Sequence, residues 1–420
     1  MLKKFRNRAS PANEAFIYLA ANILSSALPF LLLPVLTRYL TPEQYGEVAM
    51  FQVLVGVLAA FVGVNVNGAL VRYYYQSKDN EIAGYISSCV FILITSTALT
   101  FLIFKIAQDY IVEIIGLSKE FLYIALAVSF FSFIFKIRLS QYQVRKSATK
   151  YGGLQILNSL LAVFISLVLV VCYGLAAEGR IYGIFFASVL IGVVAALLLY
   201  NDRLFAFDRV KAAYFYDALS YGVKIIPHVL GIFLLSSFDR FVIASNLGLR
   251  DAGIYMSAAQ IAIVMNMVFD GINKAYVPWL FSVLKGDSKV NKLKIIRFTK
   301  IYVMLLITFV PLSYFISPYL GAIVLGSEFS EAADILKWIV IAQCFSGIYM
   351  IFTNFIIFEK RTGSLSLITI STGMIHILLS VLLINEVGIY GVAYSLILAM
   401  SLRAILTFYL TYKVSKIDWF

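Results

Sequence analysis

The stretch RYLTPEQYGEVAMFQ, residues 38–52, decides the fold because its pattern returns 207 residues later in the chain. The second copy is SNLGLRDAGIYMSAAQ, residues 245–260, and it places Gly253 where the first copy has Gly46. Each copy joins the end of one apolar run to the start of the next. A junction that recurs in this way indicates a duplicated structural unit.

Two further short matches keep nearly the same offset. GVN at 63–65 resembles GIN at 271–273, and IYG at 181–183 returns at 389–391. Each match is weak alone, but matches in one order and at one spacing indicate an internal repeat of half the chain.

Composition restricts the class of protein. The chain has 420 residues, of which 61% are hydrophobic and 13% charged, and its mean hydropathy is +0.90. A soluble domain is nearer half apolar and a quarter charged, so these values predict a polytopic membrane protein built of helices, which satisfy their own backbone in lipid. The net charge of +12 does not predict nucleic-acid binding, because the basic residues form short clusters between apolar segments.

Runs of about 18–25 mostly apolar residues are long enough to cross a bilayer. The sequence contains twelve, which predicts an all-α membrane protein with these transmembrane helices: 14–38, 46–70, 83–106, 119–138, 154–174, 180–200, 218–245, 252–275, 297–318, 332–356, 364–385 and 388–412.

The distribution of Lys and Arg orients the chain. One set of alternate connections holds 24 basic residues, including the N-terminal arm with Lys3, Lys4, Arg6 and Arg8, whereas the opposite set holds five. Basic residues are retained on the cytoplasmic side, so both termini are expected in the cytoplasm.

An even number of spans in each half gives both halves the same orientation. We therefore predict two parallel six-helix repeats around a central cleft: an N-terminal lobe of residues 1–200, a cytoplasmic linker of 201–217 and a C-terminal lobe of 218–420. Repeats of this kind place the substrate path at their interface. Prolines 29, 34 and 227 would allow bending near that path, although proline is also commoner in membrane helices generally.

Charged residues inside the seventh span are candidates for function, since an ionisable group in a membrane is costly. This span contains Lys224, His228, Asp239 and Arg240. At about 100° per residue, a continuous helix would place the first three on one face and turn Arg240 away. The neighbouring Asp239 and Arg240 are therefore expected to have separate tasks rather than to form one ion pair.

Other charges mark the first, second and eighth spans. Asp270 and Lys274 stand four residues apart, a spacing that brings side chains together on a helix. Arg72 follows the second span on the predicted cytoplasmic side, and Arg38 ends the first span on the opposite side.

The stretches LPFLLLPVLTRYLTPEQYGEVAMFQ (28–52) and DRFVIASNLGLRDAGIYMSAAQIA (239–262) resemble the signature regions of Wzx-type polysaccharide (O-antigen) flippases. That family belongs to the superfamily of the MATE exporters and the peptidoglycan lipid flippase MurJ. The resemblance implies a bacterial inner-membrane protein that moves an undecaprenyl-pyrophosphate-linked oligosaccharide across the membrane by alternating access. It also implies contact with membrane lipids and with the polymerase and chain-length regulator of the pathway.

The cargo that this resemblance implies assigns roles to the charged residues, because Arg and Lys bind phosphate oxygens well. Substrate binding is expected at Arg38, Arg72, Lys224, Arg240 and Lys274. Ion coupling is expected at Asp239, Asp270 and His228, with H⁺ or another ion. No catalytic residue, metal or other cofactor is expected.

Structural alternatives exist for the cationic residues. Ordinary positive-inside anchoring also accounts for Arg72, Lys224 and Lys274, and snorkelling at the interface also accounts for Arg38.

Structural alternatives exist for the remaining candidates as well. Asp270 and Lys274 also fit a plain ion pair, and Asp239 and Arg240 also fit a buried network that ties helices together. His228 also fits a structural histidine near a helix end.

Four further ionisable residues in the spans are interpreted structurally. Glu14, Lys337 and Arg403 are expected to snorkel from positions near helix ends, and His376 is expected to hydrogen-bond a neighbour.

Two other functions compete with the flippase. A membrane polysaccharide polymerase would need a sizeable outer loop with catalytic groups, and the outer connections are short, so no enzyme is predicted. A MATE-like cation-coupled exporter of small molecules should have a net acidic cavity. The first, second, seventh and eighth spans instead carry more cations than carboxylates, which favours an anionic cargo.

Overall fold

The computed structural model describes residues 11–76, 81–285, 289–359, 361–415, 417 and 419. Its α-helices are, in chain order, α1 (Pro11–Tyr39), α2 (Pro42–Phe61), α3 (Val66–Gln76), α4 (Ile82–Ile115), α5 (Lys119–Val144), α6 (Ala148–Leu167), α7 (Ala176–Asn201), α8 (Ala212–Ser236), α9 (Phe238–Leu247), α10 (Leu249–Lys285), α11 (Lys289–Val324), α12 (Glu331–Phe358), α13 (Thr362–Val387) and α14 (Ile389–Val414).

Within those residues, twelve helical stretches are long and apolar enough to cross a membrane. This confirms the predicted all-α class and the predicted number of spans. Some of the basic residues that entered the prediction of orientation lie outside the described residues: Lys3, Lys4, Arg6, Arg8, Lys78, Lys360 and Lys416.

The second predicted span is interrupted rather than continuous. Between α2 and α3, residues Gly63, Val64 and Asn65 have positive φ values of 75°, 47° and 52°. Residues other than glycine rarely adopt this backbone region. Local bonds satisfy part of the freed backbone: Gly63 N–H donates to Ser96 Oγ at 2.9 Å, and Asn65 Nδ2 donates to the Ala60 carbonyl at 3.1 Å. Strained backbone held by such contacts is typical of a hinge or a functional segment.

The seventh predicted span, 218–245, is wrong in its continuity. Helix α8 ends at Ser236, and Ser237 leaves the helical region with φ −145° and ψ −23° before α9 begins. Serine side chains compete with the helix for backbone hydrogen bonds. The Arg240 guanidinium donates to the freed Ser236 carbonyl at 2.6 Å, which stabilises the break. The helical-wheel comparison of His228 with Asp239 therefore does not hold across Ser237.

Contacts group the chain into two compact units. The first comprises the described parts of Met1–Pro29, Val57–Glu113 and Leu117–Ile226, and the second comprises those of Phe30–Gly56, Ile114–Gly116 and Pro227–Phe420. Two of the boundaries fall within α1 and α8 beside Pro29 and Pro227. Proline removes a helical hydrogen bond and permits bending at such points. The predicted lobes follow the sequence repeat rather than these contacts, and they stay a prediction.

Each unit has its own packed interior. In the first, α7 packs against α5 and α6; in the second, α14 packs against α12 and α13, and α12 also packs against α10. Aromatic side chains fill part of the second interior, among them Phe269, Tyr302, Phe352, Phe355 and Trp419.

The repeated glycines meet in the second unit. A Cβ added to Gly46 would lie 2.0 Å from the Leu249 carbonyl oxygen, and one added to Gly253 would lie 1.9 Å from the Pro42 carbonyl oxygen. The two contacts are reciprocal, since Pro42 begins α2 as Leu249 begins α10. Reciprocal contacts of equivalent residues are what a two-fold relation produces. The repeat in the sequence is thus also a packing device, in which small residues let two helix backbones touch.

Candidate functional site

The candidate residues fall into both units. Arg72 and Lys224 belong to the first unit, and the second contains Arg38, His228, Asp239, Arg240, Asp270 and Lys274.

Arg72, on α3 in the first unit, is held by a carboxylate and two aromatic side chains. Its Nη2 lies 2.6 Å from Asp217 Oδ2, which also accepts a hydrogen bond from the Tyr85 hydroxyl at 2.8 Å. The guanidinium carbon lies 4.9 Å from the centre of the Tyr221 ring. We call these four residues the Arg72 cluster. The arrangement orients Arg72 more closely than lipid anchoring would, and it leaves the side chain 36% exposed.

Asp217 is a residue that the sequence analysis missed. It lies at the edge of the predicted linker, where a single carboxylate looks like ordinary surface. Only the pairing across 145 residues of sequence reveals its role as the partner of Arg72.

Aromatic side chains extend the first unit's candidate site beside the Arg72 cluster. Tyr73 stacks on Tyr85 with ring centres 3.9 Å apart. The Tyr73 and Tyr214 rings meet edge to face, with ring centres 5.6 Å apart. An open pocket of about 370 Å³ lies beside them, lined by Glu81, Asp208, Arg209, Val210, Lys211 and Tyr214. The interaction with the Tyr214 hydroxyl raises the pKa of Lys211, so this exposed amine stays protonated at neutral pH.

The Arg72–Asp217 pair is expected to contribute little to stability despite its short distance. Both side chains are more than a third exposed, and exposed pairs contribute about 0–1 kcal/mol. Thermal unfolding of Arg72→Gln, Asp217→Asn and the double variant in detergent should give a coupling free energy of about 1 kcal/mol or less. A coupling several times larger would mean that the pair holds the unit together.

Lys224 lies on α8 in the first unit, and its side chain is exposed. His228 follows Pro227 on the same helix but belongs to the second unit. The His228 side chain is half-buried, and its Nδ1 has no hydrogen-bond partner among the described residues.

Asp239 and Arg240 lie in the first turn of α9 and form an ion pair, contrary to the expectation that they would not pair. The separate tasks assigned to them stay predictions. Arg240 Nη1 lies 3.5 Å from Asp239 Oδ1, with the side chains 15% and 4% exposed. Asp239 Oδ1 also accepts the backbone N–H of Arg240 at 2.8 Å. The long Arg240 side chain reaches back past the start of α9, where Nη1 also donates to the Ser236 carbonyl, and this brings its guanidinium beside Asp239.

Other polar groups surround Asp239 in the interior of the second unit. Tyr255 and His376 are both fully buried and lie within electrostatic range of the carboxylate. His376 Nδ1 lies 2.9 Å from Ser395 Oγ, which confirms the predicted hydrogen bond to a neighbour. Its Nε2 has no partner among the described residues. A buried carboxylate beside an imidazole can hold a cation or a proton.

The predicted pairing of Asp270 with Lys274 on α10 is confirmed. The Nζ–Oδ2 distance is 2.5 Å, and both side chains are partly exposed. Such a pair contributes little to stability, and the roles assigned to the two residues stay predictions.

Arg38 uses its guanidinium on backbone carbonyls in the second unit. It donates to Pro34 O at 2.6 Å and, at 3.4 Å each, to Ile323 and Val324 at the end of α11. Basic side chains commonly satisfy the last carbonyls of helices. The side chain is exposed, so it retains access to other groups at this end of the helices.

Arg403 does not lie near a helix end, and the prediction that it snorkels is wrong. It lies in the middle of α14 and is 8% exposed. The position of Arg403 at the centre of a predicted span could have indicated that it is buried, because long side chains reach the interface only from near the helix ends.

A family model described as a polysaccharide biosynthesis protein matches residues 12–284. The chain is 27% identical over 414 residues to Lsg locus putative protein 1 of Haemophilus influenzae, covering 96% of this chain and 98% of that protein. It is 22% identical over 417 residues to the probable low-salt glycan biosynthesis flippase Agl15 of Haloferax volcanii, covering 95% and 84%.

The fold also resembles solved transporters. The inward-facing conformation of a multidrug resistance MATE family transporter of the MOP superfamily matches with a TM-score of 0.75 and 16% identity, covering 95% of this chain and 97% of that one. At this identity the likeness shows the fold alone, and neither the role nor the cargo.

Proposed function

The chain belongs to the polysaccharide biosynthesis protein family, and from this premise we propose that it flips an undecaprenyl-pyrophosphate-linked oligosaccharide across the bacterial inner membrane. The oligosaccharide would be a repeat unit of O-antigen or a related surface polysaccharide. Transport would occur by alternating access, with both termini in the cytoplasm. The product would pass to the polymerase and chain-length regulator of the same pathway.

The sign of the buried charge carries this proposal. Among the described residues, the fully buried ionised side chains are three arginines and one aspartate: Arg138, Arg180, Arg403 and Asp239. Arg138 is paired with Asp202 and Asp239 with Arg240, and the positive excess that is left favours phosphate over a cationic drug. It therefore supports an anionic cargo over the cation-coupled exporter of small molecules.

The assigned residues would act in sequence along the path. Arg72, Lys224 and Lys274 would bind the pyrophosphate near the predicted cytoplasmic ends of their helices. Arg240 would bind it farther along, and Arg38 would meet it near the opposite membrane side. The guanidinium fork suits bidentate phosphate binding, and the Arg72 cluster presents that fork in one fixed orientation.

Coupling to H⁺ or another ion would involve Asp239, with Asp270 and His228 as further candidates. Asp239 is supported by its burial among Arg240, Tyr255 and His376. Conformational change is supported by the interrupted helices at Gly63–Asn65 and Ser237, because broken helices absorb large changes of backbone angle.

A reconstitution experiment tests the function directly. Proteoliposomes would carry a polyprenyl-pyrophosphate-linked disaccharide, and an impermeant lectin added outside would report how much sugar reaches the outer leaflet. We expect the protein to accelerate sugar exposure well above empty liposomes, and Arg72→Ala, Lys224→Ala and Lys274→Ala to lower the rate.

Ethidium efflux from the same liposomes serves as the comparison. Movement of ethidium without movement of the sugar lipid would refute the flippase and favour a drug exporter. Undiminished sugar exposure in all three variants would refute the phosphate role of those residues while leaving the function intact.

A further inference from the structure

Arg403 is too deep in its helix to reach water at either end. It lies 14 residues after the start of α14 and 11 before its end, or about 21 Å and 16 Å at 1.5 Å per residue. The side chain is 8% exposed. Its positive charge must therefore be accommodated inside the second unit.

The surroundings of Arg403 satisfy only part of its guanidinium. Nη2 donates to Thr369 Oγ1 at 3.2 Å, and the guanidinium carbon lies 3.6 Å from the centre of the Tyr349 ring. Nε has no partner among the described residues. Among the described residues, no carboxylate oxygen lies within 4.0 Å of the Arg403 guanidinium nitrogens. Arg403 differs in this from Arg72, Arg138 and Arg240, because each of those arginines forms an ion pair with an aspartate.

His228 supplies a second unsatisfied polar group near Arg403. The helix that carries His228 packs against α13 close to Thr369, since a Cβ added to Gly231 would lie 3.0 Å from Ile370 Cγ1, and the charge of Arg403 acts on the imidazole. His228 Nδ1 has no partner in the described structure. Both His228 and Tyr349 are half-buried, so the group is not sealed within the protein.

The energetic balance around Arg403 is incomplete. The cation–π contact with Tyr349 and the hydrogen bond to Thr369 offset only part of the cost of burying a charge. An isolated arginine in the interior therefore calls for an anion. The guanidinium fork and an imidazole nitrogen can donate to oxygen acceptors, whereas the Thr369 hydroxyl already donates to the Leu365 carbonyl at 3.0 Å.

We propose that Arg403, Thr369, Tyr349 and His228 form a binding site for a phosphate-class anion in the middle of the second unit. Arg403 contacts the phosphate oxygens, Tyr349 and Thr369 orient the guanidinium, and His228 donates a further hydrogen bond. The inference rests on the proposed function, in which the anion is the pyrophosphate of the lipid-linked cargo partway along its path.

Binding to the purified full-length protein tests the site. The probes are geranylgeranyl pyrophosphate, geranylgeraniol and inorganic pyrophosphate, with dissociation constants measured by thermophoresis in detergent. We expect wild type to bind the prenyl pyrophosphate more tightly than the alcohol. Arg403→Gln should weaken that binding about 10–100-fold, because hydrogen bonds to charged groups contribute about 1.5–3 kcal/mol. Arg403→Lys, which keeps the charge without the fork, should be intermediate.

Arg250→Gln is the matched control, because Arg250 pairs with Glu331 at an exposed position; it should bind as wild type does. Unchanged binding in Arg403→Gln would overturn the site. If that variant does not fold, Thr369→Val and Arg403→Lys decide, and wild-type binding in both would overturn it.

The probes separate this inference from the proposed function. Binding of prenyl pyrophosphate that does not depend on Arg403 refutes the site alone. Arg403-dependent binding of inorganic pyrophosphate without binding of the prenyl form keeps the anion site but refutes the lipid cargo. No binding of either pyrophosphate refutes both.

Discussion

Replacing Gly253 with alanine is expected to destabilise the protein severely, although the change adds one methyl group. That methyl would lie 1.9 Å from the Pro42 carbonyl oxygen and 2.8 Å from the Gly46 nitrogen. Both atoms belong to backbone, so α2 and α10 must move apart. Overpacking typically costs about 1–3 kcal/mol and occasionally more, and we expect the upper end here because no side chain can yield.

The matched control lies on the same helix. Gly271 has no atom within 4 Å of an added Cβ, so Gly271→Ala should be neutral or stabilise α10 by up to about 1 kcal/mol. Gly46→Ala should match Gly253→Ala, since its Cβ would lie 2.0 Å from the Leu249 carbonyl. Size-exclusion profiles and melting temperatures in detergent measure all three. Equal stability of Gly253→Ala and Gly271→Ala would contradict the close packing.

Replacing Asp239 with alanine is expected to lower stability by about 3–5 kcal/mol, the usual cost of removing one partner from a buried ion pair. The change leaves Arg240, 15% exposed, with an uncompensated charge. It also removes the acceptor of the Arg240 backbone N–H at the start of α9. Asp239→Asn should cost less because the amide oxygen can still accept that hydrogen bond.

Two further variants check this interpretation by thermal unfolding. Asp239→Asn combined with Arg240→Gln removes both charges and should recover part of the lost stability. Asp270→Asn removes one partner of a partly exposed pair and should change stability by about 1 kcal/mol or less. If Asp239→Ala is no less stable than Asp270→Asn, the buried Asp239–Arg240 ion pair does not stabilise the protein as expected.

Transport measured with the same Asp239→Asn variant addresses its coupling role separately. The expected result is an altered dependence on proton motive force in the proteoliposome assay. Full activity with an unchanged dependence would exclude Asp239 as the coupling residue, whatever its effect on stability.

Sequence reasoning was most successful where the physics is local. Each apolar run must become a helix, because lipid offers the backbone no hydrogen-bond partner, so the number of spans follows from a count. The i,i+4 pair of Asp270 and Lys274 also follows from one helix alone. The contact of Gly46 with the start of α10 has a sequence signal too, because the repeat places equivalent glycines in equivalent junctions.

The sequence did not predict the interruptions at Gly63–Asn65 and Ser237. Neither contains proline, the residue that most often breaks a helix. Side chains stabilise both: the Ser96 hydroxyl, 33 residues away, accepts the Gly63 N–H, and Arg240 donates to the Ser236 carbonyl. A helical wheel assumes continuity, so the predicted common face of His228 and Asp239 failed at Ser237, whereas Asp239 and Arg240 pair because the long Arg240 side chain reaches back along α9.

Composition and spacing alone indicate a membrane protein of twelve helical spans with a duplicated junction. Burial in lipid requires long apolar runs, and close helix packing requires small residues at repeated positions, so both can be recognised in the sequence. Only the tertiary structure decided which charges are paired. Asp217 lies 145 residues from Arg72, and Arg403 meets a tyrosine and a threonine rather than a carboxylate. Charge pairing depends on distances between helices, which the order of residues along each helix does not specify.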